Sequence, residues 1–178
     1  MPTKALMPPM PARQTVLIVE DEFAVANDLR LIVERAGYST SGPAYSVTEA
    51  LEISQQQRPD LVLLDIHLQG PQTGIDFARY LNVEQIPFVF VSANTNTIVL
   101  DEVKDTQPYG FLVKPFREKD VLVALEIAYY RHANRTELRL REEHRLLIEL
   151  TDALSDMGDW SSKLLKVAQL FQPFFPST

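Results

Sequence analysis

The chain has 178 residues, no cysteine, three histidines and a formal charge of −7, which sets aside disulfides, thiolate catalysis and cysteine-ligated zinc and leaves oxygen as the donor for any metal. The acidity is uneven: residues 14–130 carry 17 acids against 8 Lys/Arg, whereas residues 131–178 carry 7 of each, so neither part has the basic surface that phosphate-backbone binding requires and no nucleic-acid partner is expected. No apolar run approaches the roughly 18 residues of a membrane span, and MPTKALMPPMPARQ lacks the uninterrupted apolar core of a signal peptide, so a cytoplasmic protein with no membrane partner is expected. Prolines at 2, 8, 9 and 11 deny backbone donors and favour extended conformations, which predicts a disordered tail over 1–13.

From Thr15 onward short apolar runs alternate with amphipathic stretches, the pattern of βα units and a parallel sheet. "TVLIV" (15–19) is the first strand. Residues 22–36 repeat apolar side chains at helical spacing (Val25, Leu29, Ile32, Val33, Ala36) and stop at Gly37, a favourable residue just past a helix end. A short strand near Tyr38–Gly42, a helix over about 47–57 and the buried strand "LVLL" (61–64) follow. Next come a helix over about 74–81, the strand "PFVFV" (87–91), a short helix over 97–106, the strand "FLV" (111–113) and a helix beginning near Glu118. Five strands alternating with five helices fold most simply as an α/β doubly wound parallel sheet, in which ligands bind beyond the carboxyl ends of the strands.

The residues at those ends carry chemistry. Glu20 and Asp21 follow the first strand, Asp65 the third, Ser92 the fourth, and Lys114 with Pro115 the fifth. Carboxylates brought close together raise one another's pKa unless a cation is present. Mg²⁺ suits an open carboxylate cluster, since it prefers oxygen ligands and keeps several waters. Lys114 can neutralise remaining charge and Ser92 can donate to an incoming oxyanion. An Asp65 carboxylate so placed can attack phosphorus to give an acyl phosphate.

"LIVEDE", "LVLLDIHL", "FVSAN" and "GFLVKPF", in that order, resemble the receiver domain of bacterial two-component response regulators, with 44 positions from Asp21 to Asp65 and 22 from Ser92 to Lys114. The resemblance covers residues 14–130. It implies a (βα)5 flavodoxin-like five-stranded parallel sheet of order 2-1-3-4-5. It also implies Asp65 as phosphoacceptor and Mg²⁺ held by Glu20, Asp21, Asp65 and the backbone carbonyl of His67, with Asp21 the more direct of the acidic pair. Ser92 and Lys114 would bind the phosphoryl group, Ser92 and Phe111 would form a conformational switch, and Pro115 would follow a cis peptide. The implied partner is a sensor histidine kinase, and the implied role is a phosphorelay switch rather than an enzyme. Departures are Glu for Asp at position 20, the segment "IHLQGPQTG" after Asp65, and only 27 positions from Asp65 to Ser92. His67 and Asn94 stand where this family tunes phosphoryl lifetime. An aspartyl-phosphate phosphatase would resemble the same cluster, but it would carry a second acid two residues after the nucleophile, where this chain has His67.

Beyond Tyr130 no Gly or Pro occurs before Gly158, so the last helix is expected to run on into a helical extension over 131–178. Ala133, Leu140, Leu147, Leu150, Leu154 and Met157 form a weak heptad that needs a partner. A parallel homodimer is the favoured reading, with a linker to a further domain of a larger regulator or hybrid kinase as the alternative. His144 in "EEHRLL" stands without the residues that would make it a kinase phosphoacceptor. The expected output is contact with a second copy or with an unknown downstream protein.

Overall fold

The structure, a computed structural model, describes residues 14–93, 103 and 105–155, of which 147 and 149–155 are described as backbone only. The tail over 1–13, Asn94 and Met157 lie outside these residues, as does the helix expected over 97–106 apart from Val103 and the turn at 105–106.

Five strands, β1 (Thr15–Val19), β2 (Ser39–Thr40), β3 (Leu61–Asp65), β4 (Phe88–Ser92) and β5 (Gly110–Val113), form one parallel sheet in the order β2-β1-β3-β4-β5. The described helices are α1 (Phe23–Arg35), α2 (Val47–Gln56), α3 (Gly74–Val83) and α4 (Glu118–Ser155). The doubly wound architecture and strand order are those expected. Boundaries differ by a residue or two: β2 shrinks to two residues, α3 runs on to Val83, and Asp65 closes β3 rather than following it.

The sheet is covered on both sides because its central strands are apolar on both faces. Leu17, Val19, Val62, Leu64, Phe88 and Phe90 pack with α2 and α3 through Val47, Ala50, Phe77, Ala78 and Leu81. The alternate residues Val16, Ile18, Leu61, Leu63, Val89 and Val91 pack with α1 through Ala26, Leu29 and Val33, and with α4 through Val121, Leu125 and Ala128. This period of two follows from strand geometry, and burial of each large side chain is worth about 1.5–3 kcal/mol.

Three local devices set the helices in place. Gly37, at φ +93°, ends α1, where its N–H and that of Tyr38 donate to carbonyls of Glu34 and Val33. At the start of α2, Ser46 Oγ accepts from the Glu49 N–H and Glu49 accepts from the Tyr45 N–H. Thr73 and Asp76 form a reciprocal capping box at the start of α3.

The register aligns the strand ends. Val19 pairs with Leu64, Asp65 with Val91, and Ser92 with Val113. From β1 the chain turns to β2 on one side, then crosses to β3 on the other, so a crevice opens beyond the carboxyl ends of β1 and β3.

By its contacts the chain divides into two compact units, residues 1–132 and 133–178, and α4 contributes residues to both.

Candidate functional site

The crevice gathers the acids expected there. Glu20 leaves β1 with its N–H donating to the Ala44 carbonyl at 3.0 Å, and the residue is fully buried at the strand end. Asp65, 4% exposed, closes β3, and Asp21 begins the turn into α1. One carboxylate oxygen from each of Glu20, Asp21 and Asp65 lies within 4.8 Å of the others.

Lys114 reaches into this cluster from the end of β5. Its N–H donates to the Ser92 carbonyl at 2.8 Å, and the Lys114–Pro115 peptide is cis. Its ammonium lies 2.6 Å from Asp65 Oδ2, and 2.9 Å and 2.7 Å from the two oxygens of Glu20. A third carboxylate, Glu22 on the rim, is 3.6 Å away. The other oxygen of Asp65, Oδ1, accepts the His67 N–H at 2.9 Å. Both oxygens of Asp65 are therefore gripped, one by an ammonium and one by the main chain.

The electrostatics follow from burial. Removal from water, reinforced by the charge of Asp65, pushes the Glu20 carboxyl up to about 7 even though Lys114 opposes the shift. Burial would lower the Lys114 ammonium, but its hydrogen bonds to Asp65 and Glu20 outweigh that and hold it above the ordinary lysine value.

The residues fit a hard divalent cation. Glu20 Oε2 is buried and lies 2.7 Å from the Lys114 ammonium as an ion pair, yet it accepts no hydrogen bond, the ammonium donating to Oε1 instead. A buried carboxylate oxygen left in this state is an acceptor for a metal or its water, and the set around it is all oxygen. The His67 side chain is exposed, pointing to its main chain rather than its imidazole as the part engaged with Asp65.

Other expected residues sit near the cluster with different surroundings. Ser92 is buried at the end of β4. Phe111 on β5 is 45% exposed, its ring centroid 5.7 Å from that of buried Phe90. Tyr109 is engaged elsewhere, with its hydroxyl 3.2 Å from His132 Nδ1. Along the extension Ala133 and Leu140 are exposed, while the side chains of Leu147, Leu150 and Leu154 lie outside the described residues. Leu138 and Ile148 are also exposed, off the expected heptad. Among the described residues of the extension, exposure alone therefore selects no seam.

Two participants were not singled out from the sequence. Glu22, read only as the start of a helix, proves to be a third acidic neighbour of Lys114. Gly74 abuts the main chain of Asp65 so closely that a side chain there would collide with it. The signal available for Gly74 was its place after Thr73 in a T-x-x-D cap.

Residues 16–126 match the family described as the response regulator receiver domain. PdtaR, a transcriptional regulatory protein of Mycobacterium tuberculosis, is 33% identical over 124 residues, 69% of this chain and 60% of PdtaR. PhyR, the phyllosphere-induced regulator of Methylorubrum extorquens, is 32% identical over 131 residues, 72% of this chain and 47% of PhyR. The chain thus spans between about half and 60% of the length of these relatives. Among solved structures, the signal receiver domain of a modulated diguanylate cyclase from Desulfovibrio desulfuricans superposes with a TM-score of 0.66 at 29% identity, covering 70% of this chain and 99% of that domain.

Proposed function

The chain belongs to the response regulator receiver family, and from that premise we propose that it is a phosphorylation switch in which Asp65 accepts a phosphoryl group from the phosphohistidine of a sensor kinase. The observation that carries this reading is the grip on Asp65: an ammonium at 2.6 Å on Oδ2 and an N–H at 2.9 Å on Oδ1, beside the acids of Glu20 and Asp21.

Each residue has a part in the transfer. An oxygen of Asp65 attacks phosphorus, the P–N bond to the donor imidazole breaks with its electron pair going to nitrogen, and an aspartyl phosphate forms. Asp21, Asp65, Glu20 and the His67 carbonyl would hold Mg²⁺, which when bound would supply positive charge to the phosphoryl oxygens. Lys114 exchanges its contact with the Asp65 carboxylate for one with the new phosphoryl oxygens, and the Ser92 hydroxyl donates to another. The Ser92 shift then biases the placement of Phe111, whose half-exposed ring can take up an inward position. The chain is not an enzyme in this reading, although it assists its own phosphorylation and dephosphorylation, and its place is the cytoplasm.

The output is a protein contact, either a homodimer or a downstream protein. Exposed Phe111 and Val113 of β5 face Val123 and Ile127 of α4 across a groove of about 770 Å³ flanked by Lys119 and Arg131. In the second unit Leu138, Leu140 and Ile148 are exposed. A second reading, favoured by the greater length of PdtaR and PhyR, makes this receiver part of a larger regulator.

Beryllofluoride with Mg²⁺ tests the site. Binding to the wild type with displaced Ser92 and Phe111 resonances, and none with Asp65→Asn, is expected. An Asp65→Asn variant that responds as the wild type does would remove the assignment.

A further inference from the structure

The first turn of α3 rests on the main chain of Asp65. A Cβ added at Gly74 would overlap the Asp65 carbonyl oxygen and come within 2.9 Å of its carbon and 3.0 Å of Ile66 Cα, well inside the roughly 3.5–4.0 Å at which non-bonded carbons attract. Gly74 is not in the left-handed region, so its lack of a side chain serves space and not backbone freedom. Its N–H donates to the Ile66 carbonyl at 3.1 Å. The capping box fixes which residue makes this approach: Asp76 Oδ2 accepts the Thr73 N–H at 2.9 Å, and Thr73 Oγ1 accepts the Asp76 N–H at 3.4 Å. Two residues beyond Asp65, the His67 N–H returns to Asp65 Oδ1.

We propose that Gly74 is a positioning residue for Asp65, letting α3 press on the Asp65–His67 main chain so that the carboxylate is held between the His67 N–H and the Lys114 ammonium. The proposal rests on the reading of Asp65 as phosphoacceptor. A methyl group at position 74 must displace either the helix turn or the strand end. Displacing the strand end moves the nucleophile, the N–H that orients it and the His67 carbonyl together. Misplacement by about 1 Å can slow a reaction by as much as roughly a hundredfold.

Gly37 provides the control. It has φ +93° and nothing within 4 Å of an added Cβ, so Gly37→Ala strains the backbone only. It precedes β2 and so sits at the opposite end of the sheet from the site. The full chain is compared as wild type, Gly74→Ala and Gly37→Ala by thermal midpoint, Mg²⁺ affinity from calorimetry, rate of phosphorylation by acetyl phosphate, and the His67 amide resonance. Gly74→Ala is expected to weaken Mg²⁺ several-fold, slow phosphorylation at least about tenfold and move the His67 amide. Gly37→Ala is expected to lower the midpoint while leaving the other three as in the wild type. A folded Gly74→Ala with wild-type affinity, rate and amide position would overturn the proposal. Should Gly74→Ala not fold, the double variant Thr73→Ala/Asp76→Ala loosens the same turn without adding atoms. A slower rate with a moved His67 amide then supports the clamp, and wild-type values reject it. A wild type that takes no phosphoryl label would remove the reading of Asp65 and the proposal with it, whereas a labelled wild type beside an unaffected Gly74→Ala removes the proposal alone.

Discussion

The ammonium of Lys114 lies within 3.6 Å of three carboxylates, those of Glu20, Glu22 and Asp65. Its side chain is 12% exposed and that of Glu20 is 1% exposed, and breaking a buried pair by removing one partner typically costs about 3–5 kcal/mol. Lys114→Met is expected to lose stability of that order in EDTA and to recover part of it in Mg²⁺, as read from urea unfolding. Glu20 has its own pH signature. Its folded carboxyl titrates at about 7 against an ordinary 4.5, so between those values the folded state holds a proton that the unfolded state has released. Its contribution is therefore most favourable below 4.5 and is lost as pH rises towards 7. Wild-type stability in EDTA is expected to fall more steeply across that window than that of Glu20→Gln, and parallel curves would show that burial does not raise this carboxyl.

At the scale of elements, the site depends on where α3 begins. Thr73→Ala removes the cap hydrogen bond to the Asp76 N–H and should cost about 1 kcal/mol of stability, measured by denaturant midpoint at constant slope. A larger effect is expected in the core: Phe77→Ala, fully buried on α3, should lose about 3–5 kcal/mol. Sheet and helices were legible from periodicity because β1, β3 and β4 are apolar on both faces and α1 repeats at helical spacing. Acidic or basic residues directly after the apolar runs of β1, β3 and β5 marked the strand ends, and from them Glu20, Asp21, Asp65 and Lys114. What a linear pattern does not carry is distance across the fold. Glu22 reads as an ordinary first-turn acid until Lys114 arrives from 92 positions away. Gly74 reads as a helix start until the Asp65 carbonyl is found against it. The Gly42–Pro43 peptide is cis like that at Pro115, yet only Pro115 stood in a motif. Phe111 was legible as a strand aromatic, while its 45% exposure depends on neighbours that its own sequence does not name.

For the whole molecule the proposed outcome of phosphorylation is an altered surface. The first unit presents Phe111, Val113, Val123 and Ile127 to solvent, and in the second unit Leu138, Leu140 and Ile148 are exposed. Ile127 is 45% exposed, and surface changes of this kind usually stay within about 0.5 kcal/mol of wild-type stability. Ile127→Asp is therefore expected to fold as the wild type does but to weaken whatever contact the phosphorylated groove makes. Light scattering with and without Mg²⁺ and beryllofluoride distinguishes the occupants: a change in mass that Ile127→Asp abolishes assigns the groove to a second copy, and a constant mass assigns it to a different protein. The measurement that bears most directly on the central claim is the identity of the phosphorylated residue. After incubation with acetyl phosphate and Mg²⁺, reduction of the acyl phosphate by borohydride marks the acceptor for peptide mass spectrometry. The mark is expected at Asp65 in the wild type, and it should vanish in Asp65→Asn and when EDTA replaces Mg²⁺. A mark on another residue, or an equal yield without Asp65, would contradict the account.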